Sequence, residues 1–171
     1  MPQKISPEEN AYQLAYNYEQ VKEHCAQATL AAIMESIGWI DENVFQAADG
    51  LTGGTALSSE GTCGALAAGI LAVSRITGRT YQNFQSNQPG YKWEQIIALS
   101  DRFKEKYGGI SGCDVQKRLF GCVYSLRDPS EREIFTREGA HVDKCPSVCG
   151  DVAKWSVEII AVLKDAQAAS M

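Results

Sequence analysis

Gly61-Thr62-Cys63-Gly64-Ala65-Leu66-Ala67-Ala68-Gly69-Ile70-Leu71-Ala72-Val73 is the stretch on which the fold turns. It is apolar, carries no proline, and is too short to cross a bilayer. Its small side chains let a neighbouring backbone come close. The stretch reads as the central helix of the domain, opening just after Cys63 and ending at Gly78.

Working outward, Ser6-Pro7-Glu8-Glu9 is a helix start, with Ser6 as cap, Pro7 at the first helical position and Glu9 completing a capping box. Apolar and small residues then recur at helical spacing from Ala11 to Ile37 (Leu14, Tyr18, Val21, Cys25, Ala28, Ala32), until Gly38 stops them. The pattern fits one long helix or two with a break near His24. Asp41 to Ala48 predicts a short helix, and Gly50-Leu51-Thr52-Gly53-Gly54-Thr55 a flexible loop. That loop has no Lys-Ser/Thr at phosphate-binding spacing.

Beyond the central helix, Asn87-Gln88-Pro89-Gly90 is a turn, and Trp93, Ile96, Ile97, Leu99 and Phe103 mark an amphipathic helix ending at Gly108-Gly109. Asp114 to Phe120 is a further short helix. Pro129 to Glu138 is a charged, solvated one with internal ion pairs. The last helix starts at Pro146 and lines Val148, Val152, Trp155, Ile159 and Val162 along one face. No strand alternation and no repeat interrupts this series, so the expected fold is all-α. We expect a single compact domain of six or seven helices over residues 1–171.

Composition narrows the function. A formal charge of −5 lacks the clustered cations that nucleic acid demands. The N-terminus, Met1 to Glu9, carries no apolar export segment, so a cytoplasmic location is expected, where six cysteines point to metal or redox chemistry rather than a disulfide framework. With only His24 and His141, an all-histidine metal site or a Ser-His-Asp hydrolase has little to work with. Adjacent helical residues point about 100° apart, which argues against His24 and Cys25 as a nucleophile–base pair. His141 could ligate iron or a non-covalent haem but reads more simply as a surface-loop residue, and Tyr12, Tyr16, Tyr18, Trp39, Trp93 and Trp155 read as core or dimer contacts.

The cysteines are Cys25, Cys63, Cys113, Cys122, Cys145 and Cys149, with no Cys-x-x-Cys among them. This excludes the usual zinc-ribbon, thioredoxin-type and ferredoxin patterns, and covalent haem as well. Cys25, on an Ala-rich helical face, is the position most readily explained by plain packing. Cys63, Cys113 and Cys145 fall at expected helix starts, where the partial positive charge lowers thiol pKa and stabilises an anionic sulfur group. Cys145 and Cys149 are four apart and can share a helical face. Gly64 and Gly69 permit close approach of a bulky group or of another helix.

These landmarks in order, His24-Cys25-Ala26-Gln27-Ala28, the Cys63 to Gly69 stretch, Cys113 ahead of Leu119-Phe120-Gly121, and Lys144-Cys145-Pro146, resemble a redox-active family. That family is named for its pattern of four cysteines, C_GCAxxG_C_C, and the likeness spans about residues 20 to 165. The arrangement is also similar to the iron–sulfur portion of split-Soret cytochrome c, which implies a helical, homodimeric electron-transfer protein with a redox partner protein. The leading expectation is an iron–sulfur protein, of the two-iron [2Fe-2S] type, with Cys25, Cys63, Cys113 and Cys145 as ligands and Cys122 and Cys149 in reserve. Its rivals are a thiol–disulfide oxidoreductase, with a thiolate at Cys63 or Cys145, and a structural helical adaptor with inert thiols.

Overall fold

A computed structural model describes residues 5–86 and 93–169, so the expected turn at Asn87 to Gly90 lies outside the described residues. Within them the chain is all-α. The helices are α1 (Pro7–Lys22), α2 (Cys25–Ile37), α3 (Glu42–Ala47), α4 (Gly64–Thr77), α5 (Tyr81–Gln85), α6 (Glu94–Tyr107), α7 (Gly112–Phe120), α8 (Pro129–Arg137) and α9 (Cys145–Ala168). Nine helices exceed the expected six or seven because the first long pattern breaks in two and α5 had no marked periodicity. The break has a local cause. Glu23 closes α1 in a left-handed conformation, φ 56°, and its N–H bonds back to the Glu19 carbonyl.

Caps follow the sequence. Ser6 accepts from the Glu9 N–H at the start of α1, and Ser111 forms a complete capping box with Asp114 at the start of α7. Glu9 does not close a box with Ser6. Its carboxylate instead takes Lys154 at 2.9 Å, tying α1 to α9.

The core lies where α1, α2, α4 and α9 meet. α1 runs along α9 and packs on α2, and α4 is covered by α2 and α9. Ala65, Leu66, Ala68, Ala72 and Val73 turn inward from α4 to meet Leu30, Ile33 and Met34 of α2 and Val152 and Ile160 of α9. The expectation of close approach holds at Gly69, where an added Cβ would stand 2.6 Å from Val152 Cγ1 and 2.7 Å from Ser156 Oγ. Leu126, Phe135 and Ala140 form a second, smaller cluster.

Two segments between helices matter for the site. After a 3-10 turn at Asp49–Leu51, residues Gly53, Gly54, Thr55, Ala56 and Leu57 all have positive φ, between 51° and 68°. This is a built left-handed turn rather than the shapeless loop expected from its glycines. A π-helical turn, Ala140–Lys144, runs directly into α9. Cys145 is therefore continuous with preceding helical backbone, its N–H bonded to the Ala140 carbonyl, and does not sit at a free helix start.

A buried sulfur chamber as candidate site

A cavity of about 660 Å³ opens between the C-terminal end of α1, the start of α2, the left-handed turn, the start of α4, α8 and the π-turn. Cys25, Cys63, Cys145 and Cys149 all line it. Each arrives from a different local arrangement. Cys25 opens α2 right after the left-handed Glu23. Cys63 is the residue capping α4, held by its own N–H to the Ile110 carbonyl at 2.8 Å. Cys145 and Cys149 project from successive turns of α9, as their spacing of four predicts.

Gly64 allows the crowding. An added Cβ there would stand 2.6 Å from Cys25 Sγ. Cys113 does not line the chamber; it lies half-buried in the first turn of α7, its N–H donating to the Ser59 carbonyl, although its neighbour Gly112 reaches the wall. Cys122 is exposed and also away from the chamber. Among the described residues, no three His, Cys, Asp or Glu side chains stand close enough to hold a single metal ion.

Burial dominates the thiols. Desolvation pushes Cys63 up to about 11, even though the N–H groups of Ala65 and Leu66 at the start of α4 favour its anion. The helix-start effect expected from sequence is thus present but outweighed. Cys25 is raised further by burial and by the neighbouring Cys63 and Glu19, against the opposing N–H groups of Gly53 and Ala26. Cys145 and Cys149 also lie well above the ordinary thiol range, because of burial and then the charge of Glu19. Cys149 Sγ is 3.7 Å from the Cys25 main-chain oxygen, to which its S–H can donate.

Glu19, which the sequence did not single out, and His141, which it placed first at the surface, shape the chamber. Glu19, on the inner face of α1, is 1% exposed, and burial raises its pKa. His141, expected at the surface, instead lies in the π-turn with Nδ1 3.0 Å from Glu19 Oε1. Tyr16 and Gln20, flanking Glu19 on α1, donate to the Val142 carbonyl and fasten the π-turn in place. The only forewarning was that Glu19 falls on the same helical stripe as Ala11 and Ala15, both fully buried. His24, by contrast, is exposed, with its ring 3.8 Å from Asp49.

The mouth carries charge, with Lys22, Glu23, Arg132, Glu133 and Arg137 around it. No helix among the described residues is long and apolar enough to cross a membrane. Comparison with curated proteins and with solved structures gives no match. The family profile described as "Putative redox-active protein (C_GCAxxG_C_C)" matches residues 23–159, a span containing all six cysteines and most of the chamber. The chain belongs to that redox-active family.

Proposed function

We propose that this protein transfers electrons through an iron–sulfur group of the two-iron type held in the chamber. The observation that carries this reading is the convergence of Cys25, Cys63 and Cys145, distant in sequence, on one cavity, where main-chain N–H groups favour the anions of Cys25 and Cys63. The donor set suits such a group: thiolates are soft, anionic iron ligands, and N–H donors to sulfur offset its negative charge.

When bound, the group would accept and release one electron at a time. The chain's own contribution is to exclude water, to place the sulfurs on three rigid helices, and to stabilise thiolates by N–H groups of Gly53, Ala26, Ala65 and Leu66. Cys113, part of the set suggested by resemblance, lies outside the chamber wall, so Cys25, Cys63 and Cys145 form the thiolate set of this reading. The similarity to the iron–sulfur portion of split-Soret cytochrome c adds a homodimer and a redox partner protein.

The thiol–disulfide alternative needs a low-pKa attacking thiol, and burial drives these four the other way. The deciding experiment is iron and acid-labile sulfide analysis, with visible spectroscopy and reductive titration, on protein purified without oxygen. Coloured protein with two irons, two sulfides and one-electron uptake is expected. Colourless, iron-free protein that reversibly forms a disulfide at Cys63 would replace this reading with the thiol one.

A further inference from the structure

Glu19 presents a problem that its neighbours solve only by half. A carboxylate buried to 1% exposure loses most of its hydration, which is unfavourable unless both oxygens find partners. Oε1 has one, His141 Nδ1 at 3.0 Å. Oε2 is fully buried and has no hydrogen-bond partner. Glu19 lines the same chamber as Cys25, Cys63, Cys145 and Cys149.

We infer that Glu19 Oε2 is the fourth protein ligand of the iron–sulfur group, completing Cys25, Cys63 and Cys145, with His141 as the positioning residue that aims it. This rests on the iron–sulfur reading and deepens it. Cys149 is the competing fourth donor, but its S–H already has a partner in the Cys25 carbonyl. The π-turn has a role in this arrangement. Widening the helix just ahead of α9 turns His141 toward α1, and such π-turns recur at functional positions. A carboxylate oxygen is a harder donor than thiolate, so the iron it binds differs from the one held by sulfur alone.

The test uses the full-length protein reconstituted without oxygen, with ⁵⁷Fe and sulfide. Mössbauer spectra of the oxidised wild type are expected to show two unlike irons in equal amounts. Glu19→Gln keeps the side-chain shape but removes the anionic oxygen, and is expected to retain less than half of the iron, with altered g-values in the reduced state. His141→Gln is expected to keep its iron but shift those g-values. A single iron environment in the wild type overturns the inference without needing a variant. So does Glu19→Gln with full iron, full sulfide and unchanged g-values. Wild-type protein that takes up no iron and sulfide overturns the iron–sulfur reading, and this inference with it. Iron bound by the wild type, lost in Cys63→Ser and untouched in Glu19→Gln overturns only the role of Glu19.

Discussion

His141 Nδ1 and Glu19 Oε1, 122 residues apart in sequence, lie 3.0 Å from each other at the inner wall of the sulfur chamber. Burial works against a charged His141 ring, yet the hydrogen bond and charge of Glu19 outweigh it and raise the imidazole's pKa. Burial raises that of Glu19 as well. The folded chain thus holds protons at this pair more tightly than the unfolded chain does.

A pH dependence follows for the metal-free, reduced protein. Groups with raised folded pKa values give their full stabilisation below the unfolded values, about 4.3 for Glu and 6.5 for His, and lose it as pH rises through the folded ones. The melting temperature should therefore fall from pH 6 to pH 8. In Glu19→Gln the carboxylate that chiefly raises His141 is gone and desolvation is opposed only by the charge of Glu23, so the slope should flatten or reverse. Equal slopes in the two proteins would show that the pair does not titrate in this way.

Cys63→Ser and Cys145→Ser should each lose most of the iron from anaerobically reconstituted protein, because a missing thiolate leaves a position that serine fills poorly. Cys122→Ser and Cys113→Ser, which alter residues outside the chamber wall, should keep it. Iron analysis of the four variants side by side checks the set. Loss in Cys113→Ser alone would move the site toward α7.

Gly69→Ala should destabilise the fold by roughly 1–3 kcal/mol, the usual cost of overpacking a dense core. The new methyl would press on Val152 and Ser156 of α9 and would stand 3.1 Å from Leu99 Cδ2 of α6, so these side chains or the helices that carry them must shift to admit it. Urea denaturation would read this as a lower midpoint with the slope unchanged. An unchanged midpoint would mean that these helices are less tightly seated.

Ala56→Gly should do the opposite. Ala56 is exposed, has φ 51°, and uses its carbonyl to accept from Arg127, a bond that glycine would keep. Left-handed backbone costs a residue with a Cβ roughly 1–2 kcal/mol, and glycine's added unfolded-state freedom offsets part of the relief. A net gain of about 0.5–1 kcal/mol is expected in the same denaturation experiment. A loss of stability would indicate that the turn is strained elsewhere.

Local chemistry made much of the molecule readable. The apolar, small-residue run from Cys63 to Val73, the cap at Ser6 and the stop at Gly38 placed helices where the structure has them, because periodicity and capping act over a few residues. The ordered cysteine landmarks led to the family. Tertiary packing decided the rest. It admitted Cys149 to the chamber wall and left Cys113 outside, since which sulfurs meet depends on how α2, α4 and α9 cross. It reversed the expected thiol acidity, because desolvation is set by what surrounds a helix start and not by the helix start itself. It also joined Glu19 to His141. One charged residue on an otherwise small-residue helical face and one histidine after a glycine carry no mark of each other, and only the π-turn brought against α1 makes them a pair.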